Sequence, residues 1–429
     1  MNGRATEIAI AGGGLAGGLI ALALWRARPD LRVVVVEGGA TLGGNHRWSW
    51  FASDLAPEGT QLLDQLRLTR WDGYSVRFPA YRRALGTAYR SLASADFDAG
   101  LRRLLPEDAF LCGQPITALD AHGVTLAGGE RIEAGKVIDC RGLTGTPGLN
   151  GGWQVFMGRH LRTTGPHGVE APVIMDAAVD QHGAYRFMYV LPLAPDELFV
   201  EDTYYADSPA LDTTVLSTRI DAYCEAHGWQ GETLGKETGV LPVITGGDFA
   251  AFQAAHRTPG VAVAGAQGGF AHPLTSYTLP FVVETALAIA RDADLPGVVL
   301  AETLEERARD HWRRTAFYRR LGRMLFGAGA AEERYKVFER FYRLPAPLIE
   351  RFYAAHSTRL DRARVLCGKP PVPVMGAVRA LILPHRGRGT SRRLVEGHGR
   401  AGGTDRGFTS GGCPSTSFAG PPPRSGEEL

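Results

Sequence analysis

The sequence predicts an α/β protein built on a Rossmann-type dinucleotide-binding domain. Three observations predict it: a strand, turn, helix and strand pattern at the N-terminus, glycines at positions 12, 14 and 17 inside the turn, and Glu37 closing the second strand. Taken in order, Glu7 to Ala11 reads as a strand, Gly12 to Gly17 as a tight turn, Gly18 to Ala27 as an apolar helix and Arg32 to Val36 as the second strand. Val33 to Val36 is apolar at every position, as a parallel strand covered on both faces should be.

Each acidic or glycine position in this pattern has a mechanical task. Gly12 permits the tight turn, Gly14 lets the backbone approach a pyrophosphate, Gly17 allows the helix to pack closely, and Glu37 can accept hydrogen bonds from a ribose. An ordinary glycine-rich turn is the bland alternative, and the strand and helix context together with Glu37 argue against it. The same context disposes of a hydrophobic-anchor reading of Ile8 to Trp25, 18 residues without a charge. Five glycines inside that stretch would be costly in a continuous helix.

At 429 residues and 44% hydrophobic composition, the chain can bury a large core and divides into two or three globular units. Its net charge of +2 hides an asymmetry: residues 1–300 carry 23 Lys and Arg against 32 Asp and Glu, and residues 301–385 carry 17 against 9. A basic C-terminal unit therefore follows an acidic body. Basic residues alternate with acids there and no recognition motif accompanies them, so no nucleic-acid partner is expected. The cysteines (Cys112, Cys140, Cys224, Cys367, Cys413) are odd in number and scattered, without a C-x-x-C pair. That argues against a disulfide framework or a zinc site and suits a reducing cytoplasm; no metal is expected.

Beyond Asn45 the pattern weakens, with a helix-like stretch around Ala95 to Leu105 and a buried strand at Lys136 to Gly142. Residues 151–258 hold strand-like segments such as Arg186 to Leu193 and Glu197 to Asp202 between Pro, Gly and Asp, which predicts an antiparallel sheet. Val261 to Ala264 is another short apolar strand, and a long apolar helix follows Pro280. The dinucleotide-binding domain is thus assembled from residues 1–60, 131–150 and 259–300, and a substrate domain from 61–130 and 151–258. Residues 301–385 are helical, basic and aromatic, as in Trp312 to Phe326; residues 386–429, with eleven Gly and seven Arg, are expected to be disordered.

Two later glycine-bearing pieces, Gly43-Gly44-Asn45 and the run from Gly265 through Gly268 and Phe270 to His272-Pro273 and Tyr277, distinguish a flavin from a nicotinamide. This arrangement resembles FAD proteins of the aromatic-hydroxylase and geranylgeranyl-reductase type. There a late Gly-Asp segment holds the ribityl chain and a Pro-containing turn approaches the flavin ring. Here Ala266 or Gln267 stands where that Asp is expected, so the contact must differ. The end of the Asp139, Arg141 and Gly142 strand is also similar to those domains.

Over roughly Glu7 to Leu383 the chain resembles the bacterial lycopene β-cyclases. The resemblance is carried by the glycine fingerprint, Gly44-Asn45-His46-Arg47-Trp48-Ser49-Trp50, Val137 to Gly142, Phe199-Val200-Glu201-Asp202-Thr203-Tyr204-Tyr205, His272-Pro273-Leu274-Thr275-Ser276-Tyr277 with Leu279-Pro280, and Pro370 to Met375. The tail beyond His385 is outside the pattern, and its composition would suit an altered reading frame. The resemblance implies a catalytic acid at Glu201, with Asp202 beside it. It also implies FAD in its reduced form, NAD(P)H as reductant, and lycopene converted through γ-carotene to β-carotene without net redox change.

The chemistry is coherent with those residues. A proton delivered to a terminal alkene generates a tertiary cation, the next double bond attacks it, and loss of a ring proton leaves the β-ionone ring. A carboxyl kept neutral by an apolar pocket could supply the proton. Read without the resemblance, Glu201 and Asp202 would cap an exposed strand end. Trp48, Trp50, Tyr204, Tyr205, Phe270 and Tyr277 are candidate aromatic walls for a cation, each with core packing as its alternative. His272 is a candidate proton acceptor or flavin contact, or a satisfied loop histidine. The rivals are an FAD monooxygenase or a prenyl or carotenoid reductase of the same fold, and an inactive flavoprotein or lipid-binding partner.

The implied substrate is a hydrocarbon dissolved in the bilayer, so a peripheral or monotopic membrane contact is expected on the cytoplasmic side. The ten aromatics and 17 basic residues of 301–385 would suit an interfacial surface; buried aromatics beneath a solvated helical face are the alternative. Oligomeric state is not legible.

Overall fold

In the computed structural model, which describes residues 6–327 and 329–367, the N-terminal pattern forms as expected: strand Thr6–Ala11, helix Leu15–Ala27 and strand Val33–Val36. Strand Thr6–Ala11 pairs in parallel with Val33–Val36 on one side and with Arg131–Asp139 on the other. Phe110–Leu111 extends the sheet beyond Val33–Val36, and Ala262–Val263 pairs with the far side of Arg131–Asp139, both in parallel. Helix Leu15–Ala27 is buried at every position from Leu15 to Leu24. It lies in one apolar core with helix Leu279–Arg291, which explains why its sequence shows no polar face.

One domain boundary differs from the sequence reading. Phe110–Leu111, Ile116–Asp120 and Gly123–Leu126, assigned above to the substrate domain, belong to the dinucleotide-binding sheet. Strand Arg131–Asp139 is shared: its first residues pair antiparallel with Gly123–Leu126 and its last residues pair in parallel with Thr6–Ala11. Val124 and Leu126 thereby enter the core that holds Ala9, Val34 and Val137. With one buried apolar residue in Phe110–Leu111, none in Ile116–Asp120 and two in Gly123–Leu126, these strands carry too little apolar pattern to reveal the partner from sequence.

The second sheet has seven strands in the order Gly231–Gly247, Leu149–Thr163, Glu197–Ala206, Tyr185–Ala194, Val173–Asp176, Tyr74–Phe78 and Tyr81–Leu85. It is antiparallel as expected except where Val173–Asp176 runs parallel to Tyr74–Phe78. Helix Thr213–Ala226, N-capped by Asp212 accepting from Thr214 and Val215, covers one face. A small sheet of Arg47–Phe51, Tyr89–Ala93 and Thr69–Trp71 supplies Phe51 and Tyr89 to the core on the other face.

Helices Gly297–Arg314, Ala316–Gly327, Tyr335–Phe341, Ala346–Tyr353 and Arg359–Leu366 follow. Thr315 ends the first of these, its hydroxyl bonded back to the His311 carbonyl. The expected aromatic membrane surface is not built here: Phe317, Tyr318, Phe326, Tyr342, Phe352 and Tyr353 are buried in the core of the second sheet. Tyr318, Gly322 and Leu325 in one helix and Leu348, Ile349, Phe352 and Tyr353 in another recur at the 3–4 residue spacing of a core-facing stripe. Pro370 to Met375 and the tail 386–429 lie outside the described residues.

Candidate active site

The glycine turn is a cradle with one open side. Gly12 has φ +100°, and a Cβ there would meet the Cys140 carbonyl oxygen at 2.6 Å; at Gly17 it would meet the Gly12 carbonyl oxygen at 1.9 Å. A Cβ at Gly14 would meet nothing within 4 Å. Gly14 is also the N-cap of helix Leu15–Ala27 and no side chain caps that end. The helix thus presents uncapped amides to open space, the arrangement that receives a pyrophosphate. Glu37 stands beside the turn, accepting from the Gly13 and Gly39 amides at 2.7 Å each. Gly43 and Gly44, with φ +80° and +65°, fold the following loop back so that the Gly43 amide bonds the Gly13 carbonyl.

A single loop leads from this cradle to the second sheet. Gly265, at φ +65°, lies against Ala16 on the first helix, and Gly268 is packed on the Val263 carbonyl and the Phe270 ring. Gln267, in the region where an Asp was expected, donates to Asp139 at 3.0 Å, and Asp139 is paired with Arg141. Gln267 therefore serves the strand end. Further along, the Pro273 carbonyl accepts from Ile244, Ser276 donates to the Pro242 carbonyl, and Tyr205 donates to the Leu274 carbonyl.

On the second sheet, register creates a row of side chains. Gly158 is paired with Glu201 on one side and with Glu237 on the other, and Glu201 is paired in turn with Tyr189. Directly opposed residues share a face, so Glu237, Glu201 and Tyr189 project together. Phe199, Thr203 and Tyr205 alternate along the same face. Glu201 is half-buried, its carboxylate accepting from the Thr203 hydroxyl at 2.5 Å. Loss of hydration pushes its pKa up to about 7, against the lowering effect of that hydrogen bond. Burial, and then the neighbouring Glu201 charge, push Glu237 well above the carboxylate range, while Arg47 acts in the opposite direction.

Arg47 and Ser49 reach this face from the small sheet. Arg47 donates to Ser91, Ser91 meets Ser49 at 3.0 Å, and Ser49 adjoins the Tyr189 hydroxyl. Tyr89 continues the chain, 2.8 Å from the Tyr189 hydroxyl and 3.3 Å from that of Tyr277. Burial raises the pKa of all three tyrosines, so they remain neutral phenols. The Arg47 guanidinium lies 5.6 Å from the centroid of the Phe199 ring. A titratable carboxyl near neutrality, beside aromatic faces, can protonate an apolar double bond and shelter the resulting cation.

The structure separates several residues grouped by sequence. Asp202 points to the opposite face, fully buried and ion-paired with Arg186, because adjacent strand residues alternate. It is held away from Glu201 as the buried partner of Arg186. Tyr204 shares that opposite face and donates to the Ala210 carbonyl. Trp48 and Trp50 pack into the dinucleotide-domain core, Trp48 edge-on to Phe97, while the alternate residues Arg47, Ser49 and Phe51 face the second sheet. Phe270 sits in a distinct cluster with Phe249, Phe252 and Phe281. Tyr205 and Tyr277 do reach the Glu201 side.

His272 is held inside the loop by hydrogen bonds and is not presented to the Glu201 face. It is wholly buried, which lowers its pKa to about 3. One ring nitrogen accepts from the Leu274 and Thr275 amides and Nε2 bonds the Phe352 carbonyl, fixing a neutral tautomer with the proton on Nε2. The ring pins the loop to the C-terminal helices.

Glu237, Gly158, Tyr189, Tyr89, Arg47 and Ser49 were not singled out from sequence as site residues. A charged residue inside a strand that runs into Val240-Leu241-Pro242 was a usable signal for Glu237. The rest depends on register between distant strands. A surface cavity of about 510 Å³ lined by Asp248, Phe249, Gln253, Arg309, Trp312 and Arg313 lies at the far end of the strand that carries Glu237. Among the described residues no group of three His, Cys, Asp or Glu could hold a metal ion.

Comparison with known proteins adds three findings. A family model described as lycopene cyclase protein matches residues 7–379. A lycopene beta-cyclase of Pseudescherichia vulneris is 43% identical over 88% of this chain and 97% of its own, and one of Pantoea ananas is 39% identical over 89% and 99%. Among solved structures, a geranylgeranyl bacteriochlorophyll reductase-like protein from Thermoplasma acidophilum aligns with a TM-score of 0.57 at 13% identity, over 88% of this chain and 99% of its own. A probable FAD-dependent monooxygenase from Pseudomonas aeruginosa aligns with a TM-score of 0.51 at 16% identity, over 77% and 98%. At such identities the likeness is one of fold.

Proposed function

The chain belongs to the lycopene cyclase family, and on that premise we propose that it acts as an FAD-dependent lycopene β-cyclase, closing the ψ end groups of lycopene through γ-carotene to β-carotene. The observation that carries the chemistry is Glu201, a half-buried carboxyl titrating at about 7 among Phe199, Tyr189 and Tyr205.

The carboxyl O–H of Glu201 gives its proton to the terminal double bond of the ψ end group. A pKa near the working pH keeps a usable fraction protonated without making the acid too weak. The second double bond closes the ring onto the tertiary cation, and a ring proton departs. The aromatic faces of Phe199, Tyr189 and Tyr205 attract the cation without offering a nucleophile stronger than a neutral phenol. Tyr89 of the small sheet holds the Tyr189 hydroxyl at 2.8 Å, and Arg47 lies over the Phe199 ring.

Gly12, Gly14, Gly17 and Glu37 fit the pyrophosphate and ribose of FAD, and the loop from Gly265 to Tyr277 would carry Pro273 toward the ring system. Bound in its reduced form, FAD supplies an electron-rich ring that stabilises a nearby positive charge. The proposal takes NAD(P)H as the reductant that primes the enzyme, since substrate and product have the same oxidation state. It also places the enzyme peripherally on the cytoplasmic side of a membrane. No helix of the described residues is long and apolar enough to cross one. Helix Arg359–Leu366 leaves Leu360 and Leu366 exposed beside exposed Arg359 and Arg364, a pairing suited to an interface with anionic headgroups.

An anaerobic assay of purified protein with lycopene in liposomes, comparing reduced with oxidised FAD, tests the reading. β-Carotene formed only with reduced FAD, without continuing consumption of reductant, supports it. A reduced or oxygenated carotenoid formed in proportion to reductant would favour a reductase or monooxygenase, and unchanged lycopene a binding protein.

A further inference from the structure

We propose that Glu237 is the second carboxyl group of the reaction, the base that removes the ring proton after Glu201 has acted as acid; the proposal rests on the cyclase reading above. Three geometric observations carry it. First, the register sets Glu201 and Glu237 on the same face of the sheet with only Gly158 between them. Strands about 4.8 Å apart place the two Cα atoms roughly 10 Å from each other, a span that two glutamate side chains can bracket around one reacting end group. Second, Gly158 contributes no side chain to that interval. A Cβ there would meet the Phe199 ring at 2.2 Å and the Glu237 Cγ at 3.1 Å, so the aromatic ring and the second carboxyl's stem already share the space above the glycine. Third, Glu237 is only 8% exposed, and no ion pair holds it among the described residues.

The groups around the pair are few. Arg47 approaches from the small sheet, its positive charge beside Glu237; Tyr189 and Thr203 adjoin Glu201; Asp202 lies on the reverse face, paired with Arg186. Two neighbouring carboxyls on one face favour a state in which they hold a single proton between them, because like charges at close range resist simultaneous ionisation. The acid step needs that proton on Glu201: burial favours the neutral form of Glu237, and the Arg47 charge beside it opposes this and favours the carboxylate that a base requires.

The step balances. The O–H bond of Glu201 breaks as a C–H bond forms at the terminal alkene. The electron pair of the second double bond forms the ring C–C bond and moves the cation to the adjacent ring carbon. The C–H bond at the newly joined ring carbon then breaks, its electrons become the ring double bond, and its proton goes to the Glu237 carboxylate. The pair ends with the one proton it began with, now on Glu237, and transfer back to Glu201 resets it. Nothing is oxidised or reduced. Placement of this base also decides the isomer: a proton lost instead from the neighbouring methylene or methyl would give a ring with a displaced double bond.

The test compares wild type, Glu237→Gln, Glu237→Asp and Glu201→Gln in the lycopene liposome assay with reduced FAD, with flavin absorbance reporting that each variant is folded. Glu237→Gln is expected to bind FAD normally, to lose at least about 100-fold in β-ring formation, and to release rings with displaced double bonds; Glu237→Asp should recover part of the rate and the β selectivity. Wild-type rate with β rings alone in Glu237→Gln would sink the proposal, as would a slow variant that makes only β rings and is not rescued by Asp. Failure of wild type to cyclise lycopene would sink the cyclase reading and this proposal with it. Full activity in Glu201→Gln would remove the acid assigned above, and the pair with it.

Discussion

Arg186 donates from Nε to Asp202 at 2.7 Å on the face of the sheet opposite Glu201. Two adjacent acids therefore have unrelated tasks, and substitution should separate them. Removing the guanidinium leaves Asp202 buried without its cation, a loss on the order of 3–5 kcal/mol, reduced where the acid can take up a proton. Burial already pushes the Asp202 pKa up, so Arg186→Ala should melt lower at pH 8 than at pH 5. Asp202→Asn should be milder and, per FAD-loaded molecule, cyclise within a few-fold of wild type. Thermal melts together with turnover per bound flavin check this; a 100-fold loss of turnover at unchanged melting temperature would return Asp202 to the chemistry.

On the proposed mechanism Glu201 sets the pH dependence. Its acid form is the reactant, so turnover should fall about tenfold per pH unit above about 7. Stability follows the same shift. The folded protein holds this proton to higher pH than an unfolded chain, whose carboxyl titrates near 4.5, so stability is fully present below that value and is lost as pH rises through about 7. Glu201→Gln removes the loss and should be more stable than wild type at pH 8, by roughly 3 kcal/mol at most. Denaturation curves at pH 5 and pH 8 measure it; a variant less stable than wild type at pH 8 would contradict the assignment.

These two carboxyls also show how far the sequence could be read. Glu201 was legible because its whole segment, Phe199 to Tyr205, carries a recognisable pattern, and the glycine cradle because Gly12, Gly14 and Gly17 do local mechanical work. Asp202 was misread because a pattern names neighbours without saying which way each points; strand alternation decides that, and it sent Asp202 and Tyr204 to one side and Glu201 and Tyr205 to the other. The same alternation turns Trp48 and Trp50 into the first core, away from the face that Arg47 reaches. Glu237 and Tyr189 were invisible as partners of Glu201 because only the pairing of three distant strands brings them together.

His272 should prove to be an organiser of the loop. Its ring is neutral throughout the working range, with a pKa lowered to about 3 by burial, so it cannot shape the pH profile. Its two nitrogens instead bond Leu274, Thr275 and the Phe352 carbonyl. His272→Phe leaves two amides and one carbonyl without partners, at about 1–3 kcal/mol each. Turnover should fall with a lowered melting temperature while the position of the pH limb stays at about 7. A variant of normal stability whose limb has moved would assign His272 to proton transfer.

The glycine cradle supplies the sharpest separation of cofactor binding from folding. At Gly17 a Cβ would stand 1.9 Å from the Gly12 carbonyl oxygen, so Gly17→Ala must push the helix off the strand and should cost fold and flavin together. Gly14 is different: a Cβ there meets nothing within 4 Å, and its φ of −67° is open to any residue. A larger side chain at Gly14 therefore leaves the apoprotein intact and intrudes only on a group that approaches the uncapped amides of helix Leu15–Ala27. Gly14→Val should melt within about 1 kcal/mol of wild-type apoprotein, in keeping with a surface substitution, yet bind FAD at least tenfold more weakly by titration of flavin fluorescence. Equal affinity in this variant would place the pyrophosphate elsewhere, whereas a destabilised apoprotein would mean that the open side of the turn is not open.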